Sequence, residues 1–310
     1  MPSRWSIDHQ SRELPVQSSA VRPTVSWNIV GGCNYRCSYC VQKHAPGLGT
    51  PSDIELDAAL TTLDSLEGRW EFKISGGEPF LLKRLPEVAA RLASKGHLVS
   101  VLTNLSAPLR TLMEFIDRAG PSLRTFSCSL HREETTEDEF LEKALAVKRA
   151  LEALPKATFV VNSVVVPGTV DVVGESRRRF EALGVKFYPQ LMRKDGKAVT
   201  YDESDERRLE EHFDDLVGPG QMNRGFVLTG KLCHAGSKYF IIHPRGDAFS
   251  CYPGKRFKDG HLGNVFDGTL KRWAGPRPCP YEVCPCTVPQ NRGIIEGFGA
   301  NGEVAPHEAD

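Results

Sequence analysis

The sequence lacks any excess of charge: 39 basic side chains balance 39 acidic ones over 310 residues, a formal net charge of zero. Nucleic-acid binders usually carry a basic surplus, so that partner class is disfavoured. No apolar run approaches the ~20 residues that span a bilayer, and no membrane partner is expected. The stretch from Met1 to Ala20 is polar and mixed in charge, without the apolar centre of a signal peptide. The expected location is therefore cytoplasmic. Hydrophobic residues at 40% and charged residues at 25% are ordinary for a globular chain. The length suits one large domain with a small companion.

Cysteine is not scarce. There are nine: three between 33 and 40, one at 128 and five between 233 and 286. In a reducing compartment such residues read as metal ligands or catalytic thiols rather than disulfides. Their grouping predicts two metal sites.

Residues 1–22 show no clear periodicity and read as an arm. Strands and helices then alternate. Strands are expected at 25–30, 71–74, 98–102, 124–130, 158–166 and 185–191, with helices at 53–66, 84–95, 109–117, 137–153 and 172–183. The strands read as almost continuously apolar, which predicts a parallel sheet covered by helices. The fold class is α/β, and six such units over 23–217 make a partial barrel. A charged helix (202–217) leads to Gly218-Pro219-Gly220, a boundary signal. A small Cys-rich subdomain follows over 218–296, with a hairpin around Pro244-Arg245-Gly246, and then a flexible tail at 297–310.

The first cysteine group is Cys33-Asn-Tyr-Arg-Cys37-Ser-Tyr-Cys40. Three thiolates at this spacing suit three corners of a [4Fe–4S] cubane and leave one iron open, as an open position marks a catalytic metal site. A zinc knuckle with His44 as fourth ligand is the alternative. The spacing, with an aromatic before the last cysteine, resembles the radical S-adenosylmethionine (radical SAM) family. A second mark of that family is Gly76-Gly77-Glu78-Pro79, after the second strand. The resemblance implies the six-unit partial barrel, and a [4Fe–4S] cluster on Cys33, Cys37 and Cys40 whose open iron binds SAM. It further implies SAM contacts from Gly76, Gly77, Glu78 and Pro79, adenine packing near Tyr39, and a role for Asn104 in a Thr-Asn that closes strand three. Ser127, Ser129, Asn162 and Gln190, near strand ends, are candidate cofactor contacts; simple strand-end caps are the competing reading for the first three.

The second group is Cys233, Cys251, Cys279, Cys284 and Cys286. The stretch from Cys233 to Cys251, a cysteine either side of a hairpin, resembles the SPASM/twitch modules. That resemblance implies one auxiliary [4Fe–4S] cluster, since five cysteines are too few for two. Cys233, Cys251 and Cys284 are expected ligands, and spacing leaves Cys279 and Cys286 open as the fourth. A zinc ribbon is the alternative.

Cys128 is either a buried small hydrophobe or a hydrogen-atom donor to a substrate radical, as family epimerases require. His131 is a candidate substrate contact or base. Arg193 and Lys194 read as an exposed charged loop, with anionic-substrate contact as the alternative.

The resemblance implies reductive cleavage of SAM to a 5′-deoxyadenosyl radical that abstracts hydrogen from substrate. Iron–sulfur potentials reaching about −700 mV make a cluster a credible reductant. A flavodoxin or ferredoxin is the implied electron donor. The auxiliary module resembles that of the butirosin-pathway aminocyclitol dehydrogenase. The favoured substrate is thus a small polar metabolite, such as a sugar, aminocyclitol or natural-product intermediate, undergoing dehydrogenation or epimerisation. Peptide maturation is the runner-up, weakened because the stretch before Cys33 is short for a leader-binding domain. A zinc-binding interaction module is the non-enzymatic alternative.

Overall fold

The structure, a computed structural model, describes residues 21–42, 49–195, 197–216, 222, 226–284 and 286–297. Most of the expected arm and tail, and the Gly218-Pro219-Gly220 boundary, lie outside the described residues.

The expected alternation is present. In order come β1 (Thr24–Val30), α1 (Asp53–Leu63), β2 (Glu71–Gly76), α2 (Leu85–Ser94), β3 (Leu98–Thr103) and α3 (Leu109–Ala119). Then follow β4 (Leu123–Leu130), α4 (Glu137–Leu151), β5 (Thr158–Val165), α5 (Val170–Ala182), β6 (Lys186–Leu191) and, after a small two-strand turn, α6 (Glu203–Phe213). That turn pairs β7 (Arg193–Lys194) with β8 (Lys197–Ala198). Strands β1 to β6 pair in chain order, every pair parallel, as a partial barrel requires. Two helices begin with capping boxes, Ser52 with Glu55 on α1 and Thr136 with Glu139 on α4, which satisfy first-turn amides.

The strands are not apolar on both faces. On β4, Phe126, Cys128 and Leu130 pack into the main core, whereas Thr125 and Ser127 line an inner cavity. Val161 and Val165 on β5, and Phe187 and Leu191 on β6, also join the core; Asn162, Tyr188 and Gln190 line the cavity. Alternation has period two in a strand, and the inner face surrounds a polar lumen. Arg193 departs from its expected exposed loop: it is 8% exposed.

The Cys-rich segment joins the same sheet. Strand β11 (Tyr239–Ile242) pairs parallel to β1, and β12 (Asp247–Phe249) and β13 (His261–Asn264) add antiparallel strands beyond it. The predicted hairpin is β11–β12. Short pairs organise the rest: β9 (Phe226–Val227) with β15 (Val283–Cys284), and β10 (Leu232–Cys233) with β14 (Arg277–Pro278). Helix α7 (Tyr252–Phe257) follows Cys251, and α8 (Thr287–Asn291) follows Cys286.

At the N-terminal end of the strands the chain just beyond α8 is tied to β2. The Glu71 carboxylate is fully buried and accepts from Arg292 (2.8 and 3.0 Å), Arg22 (3.3 Å) and the Ser100 hydroxyl (2.7 Å). Burial alone would raise its pKa, but Arg292 and Arg22 hold it well below the usual carboxylate range. A folded pKa below the unfolded one gives stability that is complete above the ordinary value of 4.5 and lost as pH falls towards the depressed one. Removing one partner of a buried pair is costly, whereas replacing the pair by apolar residues is often near neutral. Arg292→Ala is expected to lower unfolding free energy by up to about 3–5 kcal/mol in urea titrations, and Glu71→Leu with Arg292→Met by less.

Candidate functional site

The cysteine loop leaves the C-terminal end of β1, where active sites of parallel α/β folds lie. Backbone-to-backbone contact fixes it. The Gly77 amide donates to the Val30 carbonyl and the Glu78 amide to that of Gly32, both at 2.9 Å. A Cβ on Gly77 would overlap the Gly32 carbonyl oxygen, and one on Gly76 that of Val30. Gly76 also has φ of 136°, which favours glycine.

The Glu78 carboxylate is buried among donors from the end of β3 and from its own turn. It is 1% exposed and accepts from the Thr103 hydroxyl (2.8 Å) and from the amides of Asn104 (2.7 Å) and Phe80 (3.1 Å). Burial raises its pKa, and these donors oppose the rise. Its role is to bind the end of β3 to the end of β2. Pro79 is buried and opens the short 3-10 turn that Glu78 caps. Asn104 sits as anticipated beside the loop: its amide nitrogen donates to Asn34 Oδ1 (3.0 Å) and approaches Cys33 Sγ at 3.8 Å.

The loop's other flank is held by the segment after β4. Ser38 donates through its amide and hydroxyl to Glu133, each at 2.6 Å, and the Arg36 amide donates to Glu134 at 2.6 Å. Sequence reading missed both carboxylates; nothing in their spacing ties them to a loop almost a hundred residues away. His131 stacks on Tyr39, with ring centroids 5.9 Å apart and Tyr39 Oη 3.1 Å from His131 Nδ1. Burial lowers the His131 pKa against the pull of Glu134 and Glu133, so the imidazole is neutral at pH 7.

Cys33, Cys37 and Cys40 are free and partly buried. Burial raises the pKa of Cys33 and pushes Cys37 up to about 11, so loading a metal group releases protons. Among the described residues no set of three or more His, Cys, Asp or Glu converges on a single ion. A cubane takes each thiolate on a different iron, and three partly buried thiols on one loop backed by Gly76 and Gly77 fit it. His44 lies outside the described residues.

Ser127, Asn162 and Gln190 line one lumen cavity of about 180 Å³. The Asn162 amide donates to Ser127 (3.1 Å), and its oxygen accepts from Ser129 (3.0 Å). Cys128 is directed away from that lumen. It is fully buried in the helix-side core, where a cysteine packs as a small hydrophobe.

Four of the five C-terminal cysteines, Cys233, Cys251, Cys279 and Cys284, line a second cavity of about 200 Å³ with Trp273 and Tyr281. Burial pushes Cys233 and Cys251 up to about 12. Cys286 is not among the lining residues; its hydrogen bond to Cys284 lowers the Cys284 pKa and raises its own. Four thiols around one cavity fit a cluster of the auxiliary kind.

Gly77→Ala is expected to displace the loop, lowering bound iron after anaerobic reconstitution and cutting SAM cleavage roughly 100-fold, the scale of a ~1 Å misplacement, with the circular dichroism of the fold kept. Glu133→Ala with Glu134→Ala is expected to speed amide exchange across residues 33–40 while leaving β1 protected.

Residues 27–176 match the model of the Radical SAM superfamily. Curated relatives include the GTP 3′,8-cyclase of Chlorobaculum tepidum, 29% identical over 146 residues, 45% of this chain and 44% of the relative. The Fe-coproporphyrin III synthase of Methanosarcina barkeri is 29% identical over 150 residues, 46% of this chain and 37% of the relative. The GTP 3′,8-cyclase of Stenotrophomonas maltophilia (strain K279a) is 31% identical over 160 residues, 48% of each. The chain spans less than half the length of these relatives. Among solved structures, Streptococcus suis SuiB bound to S-adenosylmethionine aligns with TM-score 0.58 at 16% identity, over 80% of this chain and 64% of that one. The structure of anSMEcpe with bound AdoMet aligns with TM-score 0.53 at 18% identity, over 79% and 75%. At these identities the likeness is one of fold. With the glycine-cradled cysteine loop and the parallel six-unit barrel, the match places residues 27–176 in the Radical SAM superfamily.

Proposed function

We propose that this chain is a radical SAM oxidoreductase acting on a small polar substrate held in the barrel lumen, with dehydrogenation as the favoured outcome. The observation that carries the reading is the lumen itself. Its inner surface presents Ser127, Asn162, Tyr188 and Gln190 in a cavity of about 180 Å³, while the apolar residues of the same strands turn outward. A cavity of that size and polarity suits a sugar, aminocyclitol or comparable intermediate.

In this reading Cys33, Cys37 and Cys40 hold the SAM-binding cluster, and Cys233, Cys251, Cys279 and Cys284 an auxiliary one. When bound, the first supplies the electron that splits SAM and so yields the hydrogen-abstracting radical, and the second offers an acceptor for a substrate electron. The chain's own residues orient and enclose. Gly76 and Gly77 offer backbone at close range, Asn104 and Glu78 hold the loop, and the Tyr39–His131 pair walls the site beside it. The burial of Cys128 in the helix-side core supports dehydrogenation over epimerisation. Residues 23–217 form the catalytic barrel and 218–296 the auxiliary module, and a flavodoxin or ferredoxin supplies electrons. Among the described residues no helix is long and apolar enough to cross a membrane.

Peptide maturation is a second reading. It is favoured by the fold shared with SuiB, whose structure with the precursor peptide SuiA aligns with TM-score 0.57, and with anSMEcpe bound to a Cp18Cys peptide, at 0.55.

Anaerobic incubation with SAM, reductant and deuterated candidates, small metabolites and peptides alike, tests both readings. Deuterium is expected in 5′-deoxyadenosine with a small polar substrate; label transfer from peptides alone would replace the first reading by the second. Absence of reductive SAM cleavage, or zinc in place of iron and sulfide, would end both. Cys128→Ala is expected to retain turnover under the same assay.

A further inference from the structure

Charge is balanced over the whole chain but not within it. Residues 226–296 carry ten Lys and Arg against five Asp and Glu, whereas the full sequence has 39 of each. Part of that surplus surrounds the second cavity. The cavity reaches the surface, since Asp259, Arg277, Pro278 and Pro280 in its lining are exposed. Tyr281 lines it too, and the Phe257 ring stacks on Tyr281 with centroids 5.7 Å apart. The Arg256 guanidinium lies 5.8 Å from the Phe257 centroid, and Lys258 follows at the end of α7. The Lys231 carbonyl accepts from the Cys279 amide at 2.9 Å. Lys231, Arg256, Lys258 and Arg277 are exposed, and so is Phe257, at 61%.

These cations differ from those on the helices of the barrel. There Arg84, Arg91, Arg177 and Arg179 each pair with a carboxylate. Among the described residues no carboxylate lies within ion-pair distance of Lys231, Arg256, Lys258 or Arg277. Arg256 and Arg277 lie over aromatic rings instead, Arg277 at 4.0 Å from the Trp273 centroid. The acidic side chains of the neighbourhood are Asp259, which accepts from the Tyr281 hydroxyl, Glu282 next to Tyr281, and Glu296, 3.2 Å from His234. Aromatic and arginine side chains are enriched at interface hot spots, and unpaired cations steer an acidic partner into place.

We propose that this face, Lys231, Arg256, Phe257, Lys258 and Arg277 around the opening of the second cavity, docks a small electron-carrier protein through an acidic surface. The proposal rests on the reading of that cavity as the auxiliary cluster site, and adds the face by which the substrate electron leaves. Position selects a carrier over other acidic proteins: Arg277 belongs both to the patch and to the lining of the four-thiol cavity, and Phe257 stacks on Tyr281 of the same lining. Redox encounters use small, charge-steered contacts, which suits a patch of this extent. One electron passes from the reduced auxiliary site to the oxidised carrier; no bond forms or breaks, and no proton moves.

The test is calorimetric titration of the anaerobically reconstituted full chain with an acidic [2Fe–2S] ferredoxin, an acidic flavodoxin and, as a carrier of opposite charge, basic cytochrome c. Saturable one-site binding of at least one acidic carrier is expected, weakening as ionic strength rises, with none of cytochrome c. Arg256→Glu with Lys258→Glu, and separately Lys231→Glu, are each expected to weaken that binding at least ~10-fold, while Arg256→Lys with Lys258→Arg keeps most of it. These positions are exposed, and circular dichroism reports folding. Carbodiimide coupling is expected to join Lys231 or Lys258 to carrier carboxylates, read by peptide mass mapping. Lack of saturable binding by either acidic carrier, binding that neither charge reversal weakens, or tighter binding of RNA or phosphatidylserine vesicles than of the carriers would overturn the proposal. Dithionite-driven SAM cleavage by the wild-type chain is followed separately, with its iron and sulfide content. Cleavage without carrier binding removes only the docking face. Iron and sulfide sufficient for one cluster alone removes the auxiliary reading, and failure of cleavage removes the radical reading beneath it.

Discussion

The close approach of two backbones, Gly76-Gly77 against Val30 and Gly32, is the constraint on which the rest of the site depends. Main chain has no rotamer with which to yield, so the loop that carries Cys33, Cys37 and Cys40 inherits the rigidity of β1 and β2. The contact spreads outward from there. Glu78, one residue on, ties the end of β3 through Thr103 and Asn104, and Asn104 turns back to Asn34 and Cys33. From β4 come His131, Glu133 and Glu134, which stack on or accept from the same loop. Four successive strand ends thus converge on one octapeptide, the preorganisation a radical reaction requires if side reactions are to be excluded.

A second feature organises the barrel. Its strands carry bulky apolar residues outward under the helices and polar residues inward, so a single period-two pattern builds both the core and the polar lumen. At the opposite end of the strands from the cysteine loop lies the buried Glu71–Arg292–Arg22 cluster. That cluster joins a strand of the barrel to a residue more than two hundred positions later. The Cys-rich segment is therefore bound to the barrel twice, there and by the parallel pairing of β11 to β1. The four thiols of the second cavity are thereby held against the same scaffold as the first three.

The α/β alternation, the six strands and most of their limits were legible because each strand is a short stretch rich in apolar residues bounded by turn signals and each helix carries a 3.6-residue apolar face. The cysteine loop and the Gly-Gly-Glu-Pro turn were legible because their chemistry is local: ligand spacing and backbone access are written in consecutive residues. What the sequence could not say was which way a side chain faces or what lies opposite it. Cys128 lies between Ser127 and Ser129 on one strand, and only the sheet's two faces separate a buried packing residue from lumen contacts. The carboxylate of Glu78 reads as a ligand contact in a motif, and its hydrogen bonds to Thr103 and Asn104 become visible only once β3 lies beside it. The contacts of Glu133 and Glu134 with the cysteine loop, and the convergence of Cys279 with Cys233, Cys251 and Cys284, are pairings across long sequence separations. Consecutive residues determined the elements and the first metal loop because those rest on local spacing and propensity. Facing, burial and partnership were decided by the tertiary structure, because they depend on which strand or loop is brought alongside.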